Sequence, residues 1–226
     1  MNHWKMRAAV AAMVVSHASA WVWGSVSGLN TYGSAATFNA AIAGAGAPGG
    51  GGILFEDFSA IDAGPAGTLA FGSSTLGFVA STLGPGDVFD DLLNPQGALG
   101  TNEAGRPLIF ELTQLGGTVY ALGGNFWLRN QFGAVLGGSI DVQVGRVGGQ
   151  VDSFALTSSG PTDYFGIVSS TQLSFVIITP TSPMAGVGGT GPFVTADNVT
   201  AAGLIPTPAT AGVLALSGLV AMRRRR

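Results

Sequence analysis

Three groups of side chains in this 226-residue chain are of types that could do chemistry. The first is a set of hard oxygen donors: Glu56 and Asp57 in ILFEDF, and Asp197 beside Asn198 in FVTADNVT. Such donors are what Ca2+ takes, so Glu56, Asp57 and Asp197 form a candidate Ca2+ site if the first and last strands of the body share a sheet region. Alternation sends Glu56 and Asp57 to opposite faces of a strand, so one of the two would join Asp197; solvated edge carboxylates are the plain alternative. Asp87, Asp90 and Asp91 are a second acidic group, without EF-hand spacing. The second candidate is Asn125 and Arg129 flanking Phe126-Trp127. Sugar sites stack an aromatic ring on the sugar face and hold hydroxyls with amide, carboxylate or guanidinium groups, so Asn125, Trp127 and Arg129 are a candidate ligand-binding group. Phe126 and Trp127 must face opposite ways, and a Trp127 packed in the core is the alternative. The third is the set of twelve acidic residues, since glycosidases need two carboxylates across a cleft. No spacing marks Glu56, Glu103 or Glu111 as an acid or base, and the chain reads as a non-enzyme with no catalytic residue.

The inventory excludes more than it offers. There is no Cys, and the two histidines are His3 and His17. Beyond residue 20 there is therefore no Ser-His-Asp or Cys-His catalysis, no disulfide and no His- or Cys-held metal. Between the two ends, only Arg106, Arg129 and Arg146 stand against all twelve acidic residues. An acidic body repels nucleic acid. Gly makes up 37 residues without a G-X-Y period, only 9% of residues are charged and 46% are hydrophobic. That mixture excludes collagen and a disordered chain.

The elements that would position these groups are mostly short strands. Ser34 caps a helix near Ala35–Ala43, with Phe38 and Ile42 on one face. The glycine-rich run from Gly44 to Gly52 contains a G-x-G-x-x-G pattern, but between a helix and a strand, the reverse of a dinucleotide site. Strands are expected at Ile53–Phe58, Leu69–Phe71, Leu76–Ser81, Leu108–Leu112, Thr118–Leu122 and Asn125–Arg129. More follow at Ser139–Val147, Val151–Thr157, Tyr164–Val168, Leu173–Ile178 and Phe193–Ala201. Gly123-Gly124 reads as a break, Gly148-Gly149 as a hairpin turn, and Thr82–Arg106 as a long irregular loop. LSFVII is apolar on both faces and belongs in the centre of a sheet. This is an all-β antiparallel sandwich with one short N-terminal helix and a separate C-terminal hydrophobic helix.

The two ends are of another character. His3, Lys5 and Arg7 precede the apolar run AAVAAMVV and then Ala18-Ser19-Ala20. Residues 1–20 read as a signal peptide, cut by signal peptidase between Ala20 and Trp21. Residues 21–203 are the sandwich body and residues 204–226 a sorting signal. Here Pro206-Thr207-Pro208 leads into an uncharged run to Met222, followed by Arg223, Arg224, Arg225 and Arg226. Seventeen uncharged residues from Pro206 make about 25 Å of helix, enough for a thin bilayer. The arginines would stay on the cytoplasmic side.

This tail, IPTPATAGVLALSGLVAMRRRR, resembles the PEP-CTERM sorting signal, with Thr207 where that motif has Glu. The resemblance implies transient membrane anchoring, processing by an exosortase-type peptidase near Pro206–Pro208, and delivery to the cell surface or an exopolysaccharide matrix. The body, from the helix SAATFNAAIAG through FEDF, VYALGGNFWLRNQFGAVLGGSIDVQV and YFGIVSSTQLSFVII to FVTADNVT, resembles the lectin-like jelly-roll sandwich that many such sorted proteins carry. The expectation is an exported surface or matrix protein with a structural or adhesive role. Its alternatives are a carbohydrate-binding module with a Ca2+ site and, more remotely, a carbohydrate-active enzyme.

Overall fold

The computed structural model describes residues 28–44, 52–59, 67–73, 76–82, 88–90, 97–115, 118–181 and 191–203. The leader with Ala20 and Trp21, the Pro206–Pro208 motif, the tail helix, Arg223–Arg226, Asp87 and Asp91 lie outside them. The chain order is β1 (Leu29–Tyr32), α1 (Ala35–Gly44), β2 (Ile53–Glu56), β3 (Thr68–Gly72), β4 (Gly77–Thr82), β5 (Val88–Asp90), β6 (Leu99–Thr101) and β7 (Leu108–Glu111). There follow β8 (Ala121–Arg129), β9 (Val135–Leu136), β10 (Gly138–Arg146), β11 (Val151–Ser158), β12 (Tyr164–Ser169), β13 (Leu173–Pro180) and β14 (Phe193–Ala202).

The expected antiparallel sandwich is what forms. One sheet has the order β1-β12-β8-β14-β6-β5, with β2 also on β14 and β9 on β8; the other runs β11-β10-β13-β7-β4-β3. The chain crosses between sheets after β2, β4, β6, β7, β9, β11, β12 and β13, so the inner faces close on one core. Phe58, Phe71, Phe78, Phe110 and Phe126 form a continuous run of rings through it, with centroids 5.0 to 6.2 Å apart. Val142, Val144, Val176 and Ile178 fill it from β10 and β13. β13, the LSFVII segment, is central in its sheet as expected.

Ser34 caps α1, since its Oγ accepts the Thr37 amide at 3.3 Å and its carbonyl accepts the Phe38 amide at 3.1 Å. Phe38 and Ile42, one turn apart, bury against Ala121, Val168 and Ala202 on the outer face of the eight-stranded sheet. Val147–Gln150 turns β10 into β11, with Gly148 at φ 106° and Gly149 at φ 87°, a backbone that only glycine adopts without strain.

Two expectations fail for identifiable reasons. Gly123-Gly124 does not break the chain; β8 runs through it, because the Tyr164 phenol lies where a Gly123 side chain would be. The segment 82–106 is not all loop. β5 and β6 pair inside it and β6 joins β14, with Leu99 fully buried. Neither segment shows the alternation of a long strand.

Candidate functional site

β2 and β14 do pair, with Glu56 opposite Val199 and Asp197 two residues further along. β2, which is the second strand because β1 precedes it, and the last strand thus bring Glu56, Asp57 and Asp197 into one neighbourhood. Each carboxylate is engaged differently. Asp57 accepts the Ser59 hydroxyl at 2.7 Å and the Ser59 amide at 3.1 Å, and these bonds hold its carboxyl below the usual range. Burial, and then the Asp57 charge, push Glu56 up. Asp197 is raised mainly by burial and also by Asp57, against the pull of the Asn198 amide at 2.6 Å. Asn198, in a bulge at φ 51°, donates its side-chain amide to Asp197 at 3.0 Å and to Asn125 at 3.3 Å. Among the described residues no group of three or more His, Cys, Asp or Glu is arranged to hold a metal ion. The Asp57 charge reaches both Glu56 and Asp197, but Asp57 and Asp197 are spent on local turn and bulge contacts.

Asn125, Trp127 and Arg129 share the outer face of β8, opposite Phe126 and Leu128, which point into the core. They do not present a sugar platform. Trp127 is only 3% exposed and Arg129 only 2%. Arg129 donates from Nε to the Thr195 hydroxyl at 3.0 Å, and its guanidinium lies 5.4 Å from the Phe193 ring centroid. Asn125 is tied to Asn198. Alternation correctly put one aromatic of the pair in the core, but the other is buried too. The outer face of this sheet is covered by α1 over Ala121, Val168 and Ala202 and is buried at Trp127 and Arg129, while Ile53 and Phe55 on β2 stay exposed. Tyr164 lies within it, its hydroxyl buried and without a hydrogen-bond partner among the described residues, and burial pushes its pKa up.

The outer face of the six-stranded sheet differs. Register places Gly145, Phe175 and Glu111 side by side on β10, β13 and β7, with Ser153, Gln143 and Ile177 forming the next row. Phe175 and Ile177 alternate with Val176 and Ile178, which are in the core, and so point outward, half-exposed. The Phe175 ring folds flat over Gly145, where any Cβ would overlap it. Gln143 donates to Asp141 at 3.2 Å beside it. A half-exposed ring, flanked by a carboxylate on one side and an amide in the next row, is the donor and acceptor set that a sugar ring requires. Sequence reading missed this site, although the signal was present. A glycine interrupts the alternating strand SIDVQVGRV, and LSFVII carries apolar residues on the face it shares with Asp141 and Gln143.

No family model and no curated protein matches the chain. Among solved structures it is similar to the CBM22-1 xylan-binding domain from Paenibacillus barcinonensis Xyn10C, at 17% identity and TM-score 0.38, covering 72% of this chain and 100% of that one. It is also similar to a family 29 carbohydrate-binding module, at 12% identity and TM-score 0.32, covering 68% of this chain and 90% of that one.

Proposed function

We propose that this is an exported, non-enzymatic β-sandwich protein of the cell surface or exopolysaccharide matrix, sorted by its tail through an exosortase-type peptidase. Its body adheres weakly to glycan through the outer face of the six-stranded sheet. The observation that carries the adhesive part is the Phe175 ring laid over Gly145 between Val151 and Glu111, with Gln143 in the next row. An open β-face with one ring and few charges suits a neutral polymer bound at many weak points, where avidity replaces single-site affinity. The sorting part rests on the tail composition: proline motif, uncharged run, arginine cluster.

A glycan array probed with residues 21–205, with and without Ca2+, tests the adhesive part. Weak Ca2+-independent signals on polymeric glycans are expected. Binding that appears only with Ca2+ would favour a module built around Glu56, Asp57 and Asp197, and no signal at all would remove the adhesive role. The sorting part predicts that the surface form begins at Trp21 and ends near Pro206–Pro208. Mass spectrometry showing Arg223–Arg226 still attached to the matrix form would contradict it.

A further inference from the structure

One end of the sandwich is where β14 delivers the chain toward the tail. Gly203 donates to the Gly52 carbonyl at 3.1 Å there, beside the start of β2. Cross-sheet contacts show that it is one end: a Cβ on Gly28 would sit 3.7 Å from Arg146, Leu173 donates to the Val119 carbonyl at 2.8 Å, and Gly52 approaches Leu76. The described turns and chain crossings of this end are Gly28, Gly52, 72–73, 112–115, 118–120, 147–150, 170–172 and Gly203. They contain no Asp, Glu, Lys or Arg. Of the nearest full charges, Arg146 and Asp152 are paired to each other at 2.7 Å and turned inward, and Glu111, half-buried at the end of β7, stands one residue behind the 112–115 turn. Yet this end is apolar at its tips: Ile53 is 57% exposed, Val147 54% and Val151 53%, and Phe55, two residues up the same side of β2, is 56% exposed. The opposite end carries Glu103, Arg106 and Asp163 in its turns.

We propose that this uncharged end is the surface by which the body sits on a lipid bilayer while the tail is inserted; the proposal rests on reading the tail as a membrane anchor. Length requires the approach. From Ala202 to Pro206 is four residues, at most about 14 Å of extended chain, so an inserted run starting at Pro206 holds this end at the headgroups. Chemistry permits it. An acidic body is repelled by anionic headgroups, but an end whose turns carry no charge, with Glu111 set behind them, loses little ionic hydration on contact, and exposed valines and an isoleucine gain from leaving water. Four arginines beyond Met222 keep the segment from sliding back through the bilayer.

The chain has no Cys, so single sites for an environment-sensitive dye can be introduced one at a time, as Val147→Cys, Ile53→Cys and Phe132→Cys, the last at the opposite end. The full-length protein is reconstituted with phosphatidylcholine vesicles, and both flotation and dye emission are read. Flotation with blue-shifted emission, quenched by nitroxide-bearing lipid at positions 147 and 53 but not at 132, is the expected result. Flotation with all three dyes equally in water would overturn the seating and leave the anchor standing. A full-length chain that does not float would overturn the anchor and this proposal together.

Discussion

The outer faces of the two sheets are made by the same strand chemistry and differ in which stretches are covered. On the eight-stranded sheet, Ala121, Val168 and Ala202 leave a shallow apolar floor, and the Phe38 and Ile42 face of α1 fills it. Trp127 and Arg129 are buried on the same side. On the six-stranded sheet, Phe175, Ile177, Gln143 and Asp141 are left half-exposed, and the β11 residues Val151, Ser153 and Ala155 are exposed. The difference teaches that an aromatic residue on an outward strand position is not by that fact a ligand platform. What covers each stretch of strand decides: α1 covers Ala121, Val168 and Ala202, while Ile53 and Phe55 on β2 of the same sheet stay exposed, and on the other sheet Val79 and Ile109 are buried although Phe175 and Ile177 are only half-buried.

The largest expected effect breaks the covered stretch of the eight-stranded sheet. Trp127→Ala or Phe38→Ala should each cost about 3–5 kcal/mol of unfolding free energy, since both side chains are buried and leave a cavity. Denaturant titration measures this, and a loss under about 1 kcal/mol for Trp127 would mean that it is exposed after all. Next is Gly145→Ala on the open face. The new methyl must push the Phe175 ring off the strand, at about 1–2 kcal/mol, and retention on any bound glycan should fall with it.

Removing a hydroxyl from that covered stretch should do the reverse. Tyr164→Phe should stabilise the body by about 1 kcal/mol, because the buried hydroxyl it deletes has no hydrogen-bond partner among the described residues. A comparable loss would reveal a bond that the hydroxyl makes.

The smallest effect lies at the rim beside β14. Burial raises Glu56 and Asp197, so the fold favours their protonated forms. Their contribution to stability is therefore full at acid pH, below the unfolded carboxylate value, and fades as pH rises through their raised folded values. Asp57, held low by Ser59, acts oppositely, stabilising above the unfolded value and losing that as pH falls. Glu56→Gln should raise the melting temperature at pH 7 by about 1–2 °C and leave it unchanged near pH 3. Equal shifts at both pH values would show that its charge is irrelevant.

Much of the architecture is legible where local pattern and tertiary outcome agree. Ser34, Phe38 and Ile42 announce α1, the alternation of Ile140, Val142 and Val144 announces β10, and Gly148-Gly149 announces its hairpin. Legibility fails where an element is defined by its neighbours. Gly123 and Gly124 continue β8 because Tyr164 and Val199 occupy the space above them, a relation no local window contains. β6 has three residues and exists because β14 offers an edge. The candidate site failed in the same way. Trp127 was the most conspicuous ring, but burial is a property of the assembled sheet. Phe175 looked like core because LSFVII is apolar throughout, and only the register against Gly145 and Glu111 shows which of its residues face outward.

The central claim is that the open face of the six-stranded sheet, through Phe175, carries adhesion. Affinity electrophoresis of the body and its Phe175→Ala variant through gels containing a glycan positive on the array tests it directly, with melting temperatures measured in parallel. The account predicts that the variant keeps its melting temperature to within about 5 °C, because the half-buried ring lies on the outer face and not in the core, and loses its retardation. Equal retardation of a folded variant would place adhesion elsewhere and contradict the claim.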